Sequence, residues 1–192
     1  PKSAIRLICP ACQKELGPHI HRGVLDYEHG LGQASFRACL SCGLLAQDPP
    51  PTAQDLKRAY PADYRPHAGA GLMRRLSALS AARTARALAP WLTSKERPIL
   101  ELGCGPGQLL RELASRGFSR LEGIDQNPEL ADNFSGSTIR FEARDLEGWT
   151  GPRGFYAAIL LVHALEHFRE PEELLARCLD ALCEGGVVLI AT

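Results

Sequence analysis

The sequence predicts an α/β fold in which a doubly wound parallel sheet follows a small N-terminal cysteine ribbon. Three observations predict it. Two Cys-x-x-Cys pairs lie before residue 43, a strand, a glycine turn and a helix follow one another around residues 98–116, and apolar strands then alternate with helical stretches to residue 192. Regular alternation of that kind builds a parallel sheet covered on both faces. A chain of 192 residues, 45% hydrophobic, allows one domain of ordinary size with a real core and a small appendage.

The ribbon comes first. Cys9-Pro-Ala-Cys12 and Cys39-Leu-Ser-Cys42 each space two thiols so that both sulfurs can point at one ion, and Gly43 follows the second pair, where a tight knuckle needs a permissive residue. Cys9, Cys12, Cys39 and Cys42 together complete a tetrahedron with no open position, which is a structural zinc site and not a catalytic one. Two disulfides or four unrelated thiols are the alternatives. Disulfides fit poorly with a chain in which Ile5 to Ile8 is too short an apolar stretch for a secretory signal. The 26 residues between the pairs exceed a minimal ribbon and call for a longer hairpin carrying His19, His21 and His29 as surface or packing residues. Cys104, Cys178 and Cys183 have no metal spacing.

Asp48-Pro49-Pro50-Pro51 reads as a stiff extended linker. Thr52 can cap a short helix over 53–60, which Pro61 stops. A longer helix is expected over 72–89, with Leu72, Leu76, Leu79, Ala82, Ala85 and Leu88 on one face to pack on the sheet. From there strands are expected at 98–102, 120–124, 138–142, 157–162 and 186–191, and helices at 107–116, 127–132 and 171–182. Gly103, Gly105 and Gly107 break the first strand from its helix, so something must approach the backbone closely there. In open α/β sheets that place is the carboxyl end of the strands, at the switch in strand order.

Charge and hydropathy exclude several partners. Net charge is zero, but residues 1–98 hold 14 Lys and Arg against 7 Asp and Glu, and residues 99–192 hold 8 against 15. The basic residues are scattered and not interleaved with aromatics, which argues against a nucleic-acid surface. No apolar run reaches the roughly 18 residues of a membrane span. A cytoplasmic protein is expected.

A glycine turn after a strand is shared by many nucleotide-type sites. Here the third glycine of a G-x-G-x-x-G dinucleotide fingerprint arrives one residue early, at Gly107, with Gln108 in its place, so pyrophosphate capture is disfavoured. The run Glu101-Leu-Gly103-Cys-Gly105-Pro-Gly107 instead resembles the first motif of the class I S-adenosylmethionine-dependent methyltransferases, which have a Rossmann-like sheet. The resemblance covers about residues 99–192, the later motifs following in order. It implies that Glu101, Gly103, Cys104, Gly105 and Gly107 face the amino-acid end of the cofactor. It also implies that Asp125, with Gln126 beside it, accepts the two ribose hydroxyls, and that Asp145 and Leu146 meet the adenine. His163 falls where family members touch the cofactor just beyond the fourth strand. A nicotinamide-binding domain is the competing reading, because Asp125 would suit either ribose.

On that resemblance the chain divides into a zinc ribbon at 1–48, a linker and helical lid at 49–97, and a cofactor domain at 98–192. Methyl transfer from a sulfonium needs positioning of the acceptor first, and a base where the acceptor must lose a proton. His167 and His163 are the candidate bases, and Tyr60, Tyr64 and His67 could cover the site. The pattern "CPAC", "CLSCGLLAQDPPPT" and "YPADY" is similar to bacterial methyltransferases that carry a zinc ribbon ahead of the cofactor domain, which implies a small-molecule or carbohydrate acceptor methylated on oxygen or carbon. A zinc-ribbon RNA base methyltransferase and a non-catalytic module that binds the cofactor or a partner are the alternatives. The fourth strand departs from many relatives by opening Phe155-Tyr156-Ala157-Ala158 with no acid. Relatives also add a helix and an antiparallel strand pair after the fifth strand. Their absence before Thr192, with no initiator methionine, leads to the expectation of a fragment, or of another segment or partner covering an apolar edge at Val187 to Ile190.

Overall fold

Among the described residues, eight strands and four α-helices form around two separate centres, a metal-type cysteine cluster and a layered apolar core. The computed structural model describes residues 7–26, 32–59, 71–92 and 94–192. The chain divides into two compact units, residues 1–61 and 62–192.

In the first unit, β1 (Leu16–Leu25) pairs antiparallel with β2 (Gln33–Cys39), and β2 with β3 (Leu45–Gln47). The register between β1 and β2 slips three times along its length. The long hairpin expected from the spacing is therefore present, and β3 adds a strand that the sequence reading did not contain. His19 is not merely a surface residue. Its Nε2 lies 2.9 Å from Asp48 Oδ2, the same oxygen that accepts from Arg37 Nε, and Arg37 also donates to the Gly17 carbonyl. His21 is exposed, and His29 lies outside the described residues. A helix, α1 (Ala53–Ala59), closes this unit. Thr52 caps it as expected, its Oγ1 accepting the Asp55 N–H while its own N–H and hydroxyl donate to the Asp55 carboxylate.

The second unit opens with α2 (Gly71–Leu88) and then winds β4 (Ile99–Leu102), α3 (Gln108–Ser115), β5 (Leu121–Asp125), β6 (Arg140–Ala143), β7 (Tyr156–Val162), α4 (Pro171–Ala181) and β8 (Leu182–Ala191). All five sheet strands are parallel, in the order β6-β5-β4-β7-β8. The order reverses between β4 and β7, so the carboxyl end of β4 is the switch point. β4 is buried on both faces, as a central parallel strand must be. One core lies against α2 and α3 through Ala85, Leu88, Ile99, Leu110, Leu113 and Leu160. The other lies against α4 through Leu100, Leu102, Trp149, Ile159, Leu161 and Leu174.

Three local expectations change in detail. The expected helix at 127–132 is a 3-10 helix, Pro128–Phe134, capped by Asn127, whose side chain accepts the Glu129 N–H. The buried stripe of α2 is Ala81, Ala85 and Leu88, whereas Leu76 and Leu79 are more than half exposed or close to it; Leu72 lies outside the described side chains. Alanine at 81 and 85 lets α2 approach α3 closely, and that choice turns the leucines away. Finally, β8 begins at Leu182 with no loop after α4. Residues between Leu182 and Val187 bulge out while the partner strand advances only from Tyr156 to Ala158. β8 is the sheet's edge, as expected, yet Val187 and Leu189 pack on one core and Val188 on the other, so only Ile190 of the run is well exposed.

Candidate functional site

The two cysteine knuckles are copies of one device. Gln13 N–H donates to the Cys9 carbonyl at 3.0 Å, and Gly43 N–H to the Cys39 carbonyl at 2.8 Å. Gln13 and Gly43 both take positive φ, 59° and 78°. Cys9 N–H then donates to Lys14 and Cys39 N–H to Leu44. The four Sγ atoms lie within 4.8 Å of one another, with Cys9 to Cys42 at 3.7 Å and Cys12 to Cys39 at 3.5 Å. Zn–S bonds of about 2.3 Å in a tetrahedron require sulfur separations of about 3.8 Å, so the donor set and its dimensions fit a structural Zn²⁺. Knuckle amides facing the sulfur, that of Cys42 first, lower the Cys39 thiol, while, against the Leu44 amide, the neighbouring sulfurs of Cys12, Cys39 and Cys9 raise that of Cys42, a mutual repulsion that a cation relieves.

The second site lies at the carboxyl ends of β4, β5 and β7. Its turn is fastened to β5. Gly103 and Cys104 N–H groups both donate to the Ile124 carbonyl, Gly107 N–H donates to the Cys104 carbonyl, and Pro106 has no N–H to give. Gly105 N–H donates to Asp125 Oδ2 at 2.9 Å, while Asn127 N–H donates to Oδ1 at 3.0 Å. The Asp125 carboxylate is thus locked in place, and each oxygen keeps a lone pair for a further donor. The turn's own amides are consumed inside the protein, which is not how a cradle for phosphate is built.

Glu101 lies beneath this turn at the end of β4. It is 4% exposed, and its Oε2 has no hydrogen-bond partner among the described residues. Burial, reinforced by the Asp125 charge and opposed by Arg111, pushes its carboxyl up to about 8. An orphaned buried acid beside a second acid fits a ligand that brings a cation, and repels a pyrophosphate.

The turn conformation depends on glycine. Gly107 has φ +75°, and a Cβ there would lie 2.4 Å from Cε1 of Phe134. Phe134 is buried and stacks on Phe141 with centroids 4.7 Å apart. A Cβ on Gly103 would lie 2.9 Å from the Ala164 Cβ, which places the loop after β7 directly against the turn. Cys104 points the other way. Its buried sulfur packs where Gly123 leaves room, and burial raises its thiol well above the ordinary range. Only its backbone belongs to the turn's surface.

The remaining expected residues sit on the same rim with differing exposure. Gln126 and Asp145 are exposed, with Asp145 Oδ1 accepting the Glu147 N–H, and Leu146 packs on the α4-side core. His163 takes φ 50°, an uncommon conformation for a residue with a Cβ, and its N–H donates to the Ala191 carbonyl. Its Nδ1 lies 3.9 Å from a Glu166 oxygen. His167 is half-buried in the 3-10 turn Leu165–His167, whose flanking Leu165 and Phe168 are anchored in the core. Tyr60, Tyr64 and His67 lie outside the described residues. At the opposite end of β7 the position without an acid is filled by Tyr156, whose hydroxyl donates to Glu122 of β5 at 2.9 Å.

Sequence reasoning missed Arg111, Phe134 and Asn127. Arg111 was signalled by being the first charge after the glycine turn and Asn127 by the Asn-Pro cap pattern. Phe134 had no local signal, because its role depends on a contact across 27 residues.

A family profile described as a methyltransferase domain matches residues 72–192. Over 97 residues the chain is 34% identical to the trans-aconitate 2-methyltransferase of Sinorhizobium fredii, covering 48% of this chain and 37% of that one. Over 107 residues it is 26% identical to the ubiquinone biosynthesis O-methyltransferase of Coxiella burnetii, covering 53% and 45%. The chain therefore spans less than half the length of these curated relatives. Among solved structures, a candidate S-adenosyl-L-methionine-dependent methyltransferase from Methanococcus maripaludis aligns with 61% of this chain and 57% of its own, at a TM-score of 0.53 and 17% identity, a likeness in fold.

Proposed function

Because the chain belongs to the methyltransferase-domain family, we propose that it binds S-adenosylmethionine at the carboxyl end of β4 and transfers the methyl group to a small-molecule or carbohydrate acceptor, on oxygen or carbon. The observation that carries this reading is the Asp125 carboxylate, tied to the glycine turn by the Gly105 N–H and to the following loop by the Asn127 N–H. Two fixed carboxylate oxygens match a vicinal diol. The acidic character of Glu101 and Asp125 and the internally consumed turn amides support the sulfonium cofactor over a nicotinamide dinucleotide.

The bound sulfonium supplies an electrophilic methyl carbon, so the chain's own residues have mainly to orient and to exclude water. In this reading Glu101 to Gly107 hold the methionine end, Asp125 and Gln126 the ribose, and Asp145 and Leu146 the adenine. His163 lies at the methyl end, and His163 or His167 takes the acceptor's proton. The covering role expected of Tyr60, Tyr64 and His67, in the linker and lid at 49–97, falls outside the described residues. The ribbon at 1–48 is structural, and the domain at 98–192 binds the cofactor. Relatives named for trans-aconitate and for ubiquinone biosynthesis support a small acceptor.

Titration calorimetry of the zinc-loaded protein with S-adenosylhomocysteine tests the reading. Binding is expected, with NADH unable to compete. Asp125→Ala, which deletes charge-assisted hydrogen bonds each contributing about 1.5–3 kcal/mol, is expected to weaken it at least tenfold. Binding of NADH in preference to S-adenosylhomocysteine would overturn it.

A further inference from the structure

Glu101 is an awkward residue to bury. A carboxylate there would be 4% exposed, with no hydrogen-bond donor among the described residues for one oxygen. The neighbouring elements do not neutralise it. β5 contributes Asp125, a second negative charge; the turn contributes the buried, protonated thiol of Cys104; β7 places apolar Leu160 at the paired position; and α3 contributes Arg111, an exposed cation. The balance favours the neutral acid, with the carboxyl pushed up to about 8. A ligand that brings an ammonium group reverses the balance, because a positive charge in a dry pocket favours the carboxylate beside it.

We propose that Glu101 is held as a neutral acid in the free protein and gives its proton to solvent when the cofactor's ammonium group enters, so that uptake of the amino-acid end is coupled to release of a proton. The proposal rests on the cofactor reading above. The O–H bond of Glu101 breaks, the proton passes to the buffer, and the ammonium keeps its own protons. Glu101 thereby becomes a specificity-determining residue, since a nucleoside without an ammonium group has no means of discharging it. By linkage, affinity rises with pH wherever the free protein carries the proton and the complex does not, about tenfold per pH unit well below the Glu101 value, and flattens above it.

The test is calorimetry at pH 6.5 in two buffers of very different ionisation enthalpy. S-adenosylhomocysteine is expected to release close to one proton per ligand, read from the difference between the two observed enthalpies. 5′-Methylthioadenosine, which has the nucleoside and thioether without the amino acid, is expected to bind and release none. Glu101→Gln is expected to abolish the release and to give an affinity that no longer climbs between pH 5.5 and 7.5. Equal enthalpies in both buffers for the wild-type protein, after correction for the ligand, would overturn the proposal while leaving the cofactor reading intact. Absence of any binding would remove the cofactor reading, and the proposal with it. The wild-type comparison does not depend on the variant folding.

Discussion

In the ribbon, Cys9 and Cys39 are the only buried positions among the described residues up to Thr52, while Ile20, Val24, Leu25 and Leu45 are each between 44% and 51% exposed. In the sheet unit the central strands vanish into two apolar layers, with Leu100, Leu102, Ile159 and Leu161 wholly buried on one side and Ile99, Leu110 and Leu160 on the other. A unit of 61 residues buries only about 60% of the surface its unfolded chain exposes and is marginal on hydrophobicity alone. The ribbon's order comes from four sulfurs drawn to one ion, and the sheet's from apolar burial. Both nevertheless use the same small device at their centres, a positive-φ residue that bends the chain so that backbone groups converge on a site.

The sharpest way to break this contrast is to take the metal away. Structural zinc in finger-sized domains contributes an apparent 10–16 kcal/mol to folding near neutral pH, far more than the ribbon's packing can supply. Chelation, or Cys39→Ser, is expected to erase hydrogen-exchange protection across β1, β2 and β3 and to leave β4, β5 and β7 as slow as before. Persistent protection of the β1 and β2 amides in chelator would show that the hairpin holds itself, and the contrast would fall.

A smaller effect is expected in the sheet unit, where conformation stands in for the metal. Gly107→Ala forces a Cβ into the Phe134 ring and into a left-handed backbone at once. The two costs together are about 2–5 kcal/mol. Gly136 shares a positive φ of 72° but has open space around its missing Cβ, so Gly136→Ala carries the backbone cost alone. Denaturant unfolding of both variants should place Gly107→Ala well below Gly136→Ala, and S-adenosylhomocysteine affinity should suffer only in the first. Equal losses would mean that Phe134 moves aside and does not brace the turn.

How far the sequence could be read follows from the same contrast. Features with short spacing were legible: the paired cysteines, the glycine turn, Asp125 twenty-odd residues on, and the parallel sheet implied by alternating elements; the order of its strands was not. Features that depend on one element meeting another were not. The face of α2 is chosen by Ala81 and Ala85 fitting against α3, against the larger apolar moment of Leu76 and Leu79. The start of β8 depends on a bulge that the partner strand permits. Phe134 and Arg111 become part of the site only because the loop after β5 and the helix after β4 converge on the same turn. β3, three residues long, carries too little pattern to be seen.

The smallest expected effect probes whether polar contacts rival the metal within the ribbon. Asp48 gathers Arg37 and His19 on one oxygen, and its N–H donates to the Ser35 carbonyl at 2.8 Å, fastening the chain after β3 to the hairpin. Arg37 first, and His19 after it, hold the Asp48 carboxyl below its ordinary 3.8. A carboxylate lowered on folding stabilises the fold above its unfolded value, and that contribution fades as pH falls through the lower, folded one. Metal-bound thiolates take up protons as pH falls and weaken the metal site, so acid titration reads the metal and not the clasp. Asp48→Asn at neutral pH isolates the clasp instead. The zinc-loaded variant is expected to lose a little thermal stability in low salt and somewhat less at high ionic strength, because a partly buried ion pair is screened only in part. If Asp48→Asn unravelled β1 and β2 as fully as chelation does, the clasp and not the ion would be the ribbon's organising contact, and the exposed apolar face would need another explanation than a fold built around sulfur.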